Sequence, residues 1–437
     1  MLKRIFKQQI NSITIAAALV ALSSLVSRFL GVVRDRILAG QFGADKTLDI
    51  YYAAFRIPDL IFNLIVLGAL SAGFIPIFTS LIKDFSCNRQ AGSDAAENKT
   101  AWDLANNVLN YLFLGLAILS TIGIIFAPQL TRLITPGFSS EEQAATAALT
   151  RLMCLSPVFL GISGILGGAI QLPTVYHLGF RFRLGIRRHD EKTKQIGKMM
   201  VPRTLSLAIS QINLVIVTVI ASTLPSGSLA VFNFANNLQS FPIGIFGISF
   251  AIAAFPSLAA VAFDKEKLTA NFSQTFRQIL FFVIPATVLI IALRAQIIRV
   301  VLGSGKFDWA DTVATMNTLG FFSLSLFAQA TIPLMVRVFY ARHNSTIPFR
   351  IGLVTVAVNT ILAFILAPRM GVTGLAFAYS IDNILNFILL WLWMYFTIGN
   401  FDIGNIFKSV LKLMASALLA GMAAQLMKVV VWPFIDV

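Results

Sequence analysis

The sequence predicts an all-α polytopic membrane protein, built as two pseudo-symmetric helical bundles around a central cationic cavity. Of its 437 residues 57% are hydrophobic and only 12% charged, and the mean hydropathy of +0.81 lies far above that of water-soluble domains. Apolar stretches of about 20 residues, the length that crosses a bilayer as a helix, recur about eleven times. Charged residues stand inside two of them, where each is costly and marks a pathway or a site by default.

The expected spans lie near 11–38, 48–82, 102–126, 146–172, 200–223, 229–262, 275–302, 312–341, 347–367, 371–397 and 407–431. Several exceed the thickness of a bilayer, which allows tilt or extension into water. The first follows Lys3, Arg4 and Lys7 and carries no small-residue cleavage signature, so it reads as a spanning helix and not as a removed signal peptide. Prolines at 58, 76, 157, 202, 242, 256, 285 and 333 fall within or beside spans, which suits a moving bundle and occurs in static ones as well.

Loop charge fixes the orientation. Lys83, Arg89 and Lys99 follow the second span, Arg181, Arg183, Arg187, Arg188, Lys192, Lys194 and Lys198 the fourth, and Lys265 and Lys267 the sixth. The alternate loops hold little beyond Lys46, Arg132, Lys306 and Arg369. The positive-inside rule then puts the N-terminus of this multi-pass protein in the cytoplasm. The formal net charge of +15 reads as contact with anionic membrane lipids, not nucleic acid. The organisation expected is an N-terminal bundle at 1–178, a basic cytoplasmic linker at 179–198, a C-terminal bundle at 199–398 and an additional helix at 399–437.

A weak internal repeat supports two related bundles. Tyr52 to Pro76 lies over Phe232 to Pro256 in one register, with Arg56 falling on Asn236. Two such halves around a midplane site is the plan of an alternating-access transporter.

On a helix Asp49, Tyr52, Arg56, Asp59 and Asn63 form one polar stripe, since they recur at steps of three and four. Arg28, Gly31 and Asp35 share a face of the preceding span, with Arg34 about a third of a turn away. These charges either line a substrate path or pair with one another to seal the bundle. Arg28, Arg34, Arg56 and Arg277 are the cationic candidates, because guanidinium holds phosphate or carboxylate bidentately and stays charged when buried. Asn236 and Asn237 give the second repeat a polar stripe and, with Asp35, Asp59 and Asn63, a secondary cavity lining. Asn359 and Asp382 suit a coupling cation, sodium or a proton, or equally a structural hydrogen-bond cluster. Nucleophile–base pairs, phosphate loops and metal-ligand spacings do not appear, and Cys87 and Cys154 give no disulfide framework. No catalytic or metal residue and no cofactor is therefore assigned. The expectation is a non-enzyme driven by an ion gradient or the membrane potential.

The segments Ser27-Arg28-Phe29-Leu30-Gly31-x-x-Arg34-Asp35, Phe42-Gly43-Ala44, Phe55-Arg56-Ile57-Pro58 and Gly68-Ala69-x-Ser71-x-x-Phe74-x-Pro76 resemble the N-terminal signature of the MurJ/MviN lipid II flippases. Similarity continues through Thr135-Pro136-Gly137-Phe138, Gln171-Leu172-Pro173, Gln211-Ile212-Asn213, Phe241-Pro242-x-Gly244, Gly305-Lys306-Phe307 and Phe339-Tyr340-x-Arg342. The resemblance implies a member of the multidrug/oligosaccharidyl-lipid/polysaccharide exporter superfamily that moves lipid-linked peptidoglycan precursor from the inner to the outer leaflet. It also implies that Arg28, Arg34, Asp49, Arg56 and Arg277 line the substrate site, with Asp49 pairing to position an arginine, and that cell-wall synthesis or division proteins are partners. The chain departs from the family pattern at Phe62, Asn63, Leu67, Asn236 and Asn237, which makes the cavity less charged. About two helices are expected to be missing between Ile170 and Gln171, and a final helix after Val431. Two alternatives accompany this reading: export of another polyprenyl-pyrophosphate-linked oligosaccharide, and a non-transporting scaffold for cell-wall synthesis.

Overall fold

The computed structural model describes residues 13–67, 94–159, 208–209 and 211–435. The described residues are helical throughout apart from their connections, and hold no strand. In chain order the helices are α1 (Ile13–Phe42), α2 (Lys46–Phe62), α3 (Asp94–Ile125), α4 (Ala127–Ile134), α5 (Ser140–Met153), α6 (Gln211–Ser222), α7 (Ser228–Pro242), α8 (Ser249–Ala260), α9 (Lys265–Val301), α10 (Trp309–Ser323), α11 (Leu326–Ala341), α12 (Thr346–Met370), α13 (Val372–Ile398) and α14 (Ile403–Ile435). Six helices among the described residues are long and apolar enough to cross a membrane, or seven when the bent pair α10–α11 counts as one span. The expected spans 48–82 and 146–172 run past the described residues. The linker at 179–198 and the proposed loss of helices at 170 lie outside them.

The helix ends explain themselves locally. Ser139 and Glu142 form a reciprocal capping box at the start of α5, and Asp264 and Asp308 accept from the Lys267 and Asp311 N–H groups at the starts of α9 and α10. At Asp264 those bonds to the Lys267 end hold the carboxyl below its ordinary range. α4 was not expected from hydropathy: it is a short amphipathic turn of chain that buries Ala127, Thr131 and Ile134.

The internal repeat has a structural counterpart. α2 widens into a π-helical turn at Asn63–Leu67, and α7 widens into one at Ile243–Ile248. In the register that lays Arg56 on Asn236, Asn63 lies on Ile243, so both copies deform at the same position. Such turns re-aim side chains inside a helix and gather at functional sites.

The chain divides into two compact units, Met1–Asp49 with Leu224–Val437, and Ile50–Thr223. The core of the first gathers Phe272, Phe276, Leu334, Met335, Leu390, Met394 and Phe401 from α9, α11, α13 and the start of the 399–402 connection. Phe272 lies edge-on to Phe401 and tilted against Phe276 and Trp391. Phe272→Ala is expected to lower stability by about 3 kcal/mol, at the low end for a large core truncation because lipid is a milder alternative than water for the apolar groups. A thermal melt of the detergent-solubilised chain checks this. In the second unit a smaller cluster joins Ile61, Leu116 and the buried free Cys154.

In the first unit the end of α1 is tied to the connection between α9 and α10. Arg36 donates to the Val300 and Val301 carbonyls, Lys306 N–H donates to Gly40 O at 2.9 Å, and Ala44 N–H donates to Asp311 Oδ2 at 2.9 Å. These bonds fix the rotation of α1 and therefore where its arginines point.

Candidate functional site

Within the first unit α1 and α7 bring Arg34, Asp35 and Asn237 together, and about two turns earlier on α1 they set Arg28 against Ser240. Arg28 is half-buried, and its Nη1 donates to Ser240 O at 2.7 Å. Ser240 O also accepts from Ile243 N–H, so Arg28 takes the second lone pair of this carbonyl where α7 begins to widen. The guanidinium lies against Gly244, where a Cβ would overlap it. Its Nε and Nη2 make no hydrogen bond among the described residues. Arg34 grips Asp35 Oδ1 with Nε at 3.1 Å and Nη2 at 2.8 Å, and Asn237 Nδ2 donates to Asp35 Oδ2 at 2.8 Å. The Asp35 side chain is 6% exposed and that of Arg34 55%, so the carboxylate is enclosed while the arginine reaches outward. With Arg34 paired to Asp35 and Arg28 bonded only to a carbonyl, Arg28 leaves this part of α1 cationic.

Asp49 stands at the start of α7. Its Oδ2 accepts from Gly227 N–H at 2.7 Å and its Oδ1 from Ala230 N–H at 2.8 Å, both buried. The expected Asp49–arginine pair is not formed among the described residues. The carboxylate instead caps a helix whose own N-cap, Gly227, has no side chain to do so. Gly227 has φ +85° and a Cβ there would run into the Ala44 carbonyl, so no capping side chain could replace it.

The other expected residues are placed separately. Arg277, about three turns into α9, donates to Ser273 O of its own helix at 3.3 Å. Arg56 is in the second unit and donates from Nε to Thr218 Oγ1 of α6 at 2.8 Å; Asp59 and Asn63 follow it on α2 and its π turn, Asp59 exposed. Asn359 on α12 is fully buried and Asp382 on α13 is 6% exposed, with the Thr355 hydroxyl within hydrogen-bonding reach of Asp382.

One buried polar chain was missed by the sequence reading. Gln239 donates to Asn236 Oδ1 at 3.0 Å, Gln329 donates to Gln239 Oε1 at 2.9 Å and to Ser325 Oγ at 2.8 Å, and Ser325 and Ser380 share a bond of 3.0 Å. It joins α7, α11 and α13 through groups that each find a partner, which specifies one helix register. The signal was available, since Gln239 and Gln329 are amides inside apolar spans, but neither carries charge and both were passed over.

A helical membrane bundle with a widened repeat helix in each unit and a cluster of arginines on its first helix is of the exporter class. The sequence matches the family model described as lipid II flippase MurJ over residues 38–170 and 162–435. The chain belongs to this family. It is 27% identical over 433 residues to the probable lipid II flippase MurJ of Rhizobium tropici, covering 85% of this chain and 79% of that one. Its fold is similar to a lipid II flippase MurJ solved in an inward closed conformation, with TM-score 0.73 and 20% identity over 97% of this chain and 100% of that one. It is also similar to an inward-facing multidrug resistance MATE family transporter of the MOP superfamily, with TM-score 0.64 and 16% identity over 88% of this chain and 98% of that one.

Proposed function

We propose that this protein is a flippase that carries lipid-linked peptidoglycan precursor, lipid II, from the inner to the outer leaflet of the cytoplasmic membrane by alternating access. The observation that carries the reading is the pair of arginines on α1, Arg28 bonded to the Ser240 carbonyl of α7 and Arg34 paired with Asp35 while its side chain stays 55% exposed. A pyrophosphate and an acidic peptide need charge-assisted donors inside a low-dielectric cavity, while the prenyl tail can stay in lipid. Arg28 and Arg34 hold the anionic head, and Arg56 and Arg277 add donors along its route. Asp35, Asp59, Asn63, Asn236 and Asn237 make the polar lining. Asp49 acts by holding the start of α7. No covalent step is required, and the N-terminus is cytoplasmic.

Asp382 and Asn386, one turn apart on α13, each bury a side-chain oxygen that has no hydrogen-bond partner among the described residues. Their chemistry, with Asn359 nearby in sequence pattern, fits a coupling sodium ion or proton, and the membrane potential is the other available drive. Asp382→Asn is expected to slow transport while leaving the level of protein in the membrane unchanged, as read by flipping of labelled precursor in vesicles with and without a sodium gradient.

Complementation tests the main reading. Expressed in cells depleted of their own lipid II flippase, the chain is expected to restore growth. Failure at normal membrane levels, together with binding of precursor by the purified chain, would move the assignment to a scaffold, and failure of both to a different glycan.

A further inference from the structure

In the first unit Ala262 and Phe263 of the connection before α9, the first turns of α9, Arg342 after α11 and the end of α13 bound a small pocket that the transport site does not use. It encloses about 80 Å³, with Leu268 and Ile398 as an apolar floor and Lys265, Arg342, Phe263 and Thr397 around its mouth. That is roughly the liquid-state share of two or three waters, room for one phosphate-sized group and not for a glycan. We propose that this pocket binds the phosphate of an anionic membrane phospholipid.

Two cations converge here without an anion. Neither the Lys265 ammonium nor the Arg342 guanidinium has an ion-pair or side-chain hydrogen-bond partner among the described residues. The ammonium is folded over Gly399, where a Cβ would stand 2.7 Å from Nζ, so the absence of a side chain makes its place. The carboxylates on the adjoining connections are engaged elsewhere. Asp264 accepts from Lys267 N–H and pairs with Lys267 Nζ at 3.0 Å, and Asp402 accepts from Ser273 and Asn405. Glu266, next to Lys265, is exposed and makes no ion pair with either cation, so an added anion finds two cationic donors with no ion pair of their own among the described residues.

The depth of the pocket selects a lipid over a soluble anion. Phe263 is 76% exposed at its mouth, and the last turns of α13, which contribute Thr397, carry exposed Trp393, Tyr395 and Phe396, the last 81% exposed. Aromatic side chains of this kind gather at the boundary between hydrocarbon and headgroups. Phe263 at the pocket and exposed aromatics on the adjoining last turns of α13 put the two cations at the level of lipid phosphates, with acyl chains able to lie along the apolar faces of α13 and α14 below. In the proposed orientation this is the inner leaflet; the site itself stands whether or not the chain flips lipid II.

The test uses the full chain in detergent, titrated with phosphatidylglycerol and with phosphatidylcholine and read by native mass spectrometry. The wild-type chain is expected to retain phosphatidylglycerol preferentially, and Lys265→Gln and Arg342→Gln each to weaken that retention about fivefold. Arg369→Gln, at the last turn of α12, should leave it unchanged. Lys265→Arg should keep it, and rising salt should weaken it in the wild type, a readout that requires no variant to fold. Retention by both Gln variants at the wild-type level, a loss of about fivefold in Arg369→Gln as well, or salt-independent retention would overturn the site. Displacement of the lipid by millimolar inorganic phosphate would overturn the lipid assignment in favour of a soluble anion.

Discussion

In cells depleted of their own lipid II flippase, the Arg28→Ala chain is expected to reach the membrane at the wild-type level and to fail to restore growth. Arg28 is half-buried, spends one Nη on Ser240 O and keeps Nε and Nη2, the edge that can hold a phosphate or carboxylate bidentately. Removing it takes away a charge-assisted contact worth about 1.5–3 kcal/mol, or roughly ten- to a hundredfold in retention of an anionic head. Arg28→Lys should be intermediate, since an ammonium keeps the charge and loses the fork. Gly244 gives a second handle on the same group. Because a Cβ at 244 would overlap the guanidinium, Gly244→Ala is expected to displace Arg28 and reproduce part of the loss with every charge still present. Labelled-precursor flipping in reconstituted vesicles measures both variants, and full activity in Arg28→Ala would remove the arginine cluster from the substrate path.

The sequence exposes Arg28 and Arg34 because charge inside an apolar stretch is visible without any tertiary knowledge. It exposes the repeat for a related reason: the aromatic, Gly and Pro positions that let a helix widen recur with their spacing, and both copies do widen, from Asn63 and from Ile243. What it hides is which backbone a polar side chain meets. The stripe Asp49, Tyr52, Arg56, Asp59 and Asn63 is one face of one helix by periodicity, yet Asp49 belongs to one compact unit and Arg56 to the other. No local pattern distinguishes an aspartate that pairs with an arginine from one that caps a helix 180 residues away. The Gln239–Gln329 chain is hidden similarly, because uncharged amides lower hydropathy too little to stand out, and their meaning lies in the partner helix. α4 is missed because eight residues are too few for a span and its burial is set by α5.

Asp49 supplies the largest expected effect on stability. Asp49→Ala strips the acceptor from two backbone N–H groups, those of Gly227 and Ala230, that lie buried at 2.7 and 2.8 Å from the carboxylate. Neither can turn to water, and Gly227 has no side chain to substitute, so each orphaned donor costs about 1–3 kcal/mol. The sum, roughly 2–6 kcal/mol, is a large part of the stability of an ordinary domain. Asp49→Asn separates this role from that of a charged substrate ligand. The amide keeps one acceptor oxygen and turns its NH2 against the second N–H, so it should retain about half of the lost stability while carrying no charge. Melting temperatures of the purified chain, followed by loss of the monodisperse peak on size exclusion after heating, should fall in the order wild type, Asn, Ala. Transport per folded molecule then distinguishes the roles: a cap predicts that activity follows the melting order, whereas a charged ligand predicts that Asn and Ala are equally dead. An Asp49→Ala chain that melts with the wild type would show that α7 starts without this carboxylate.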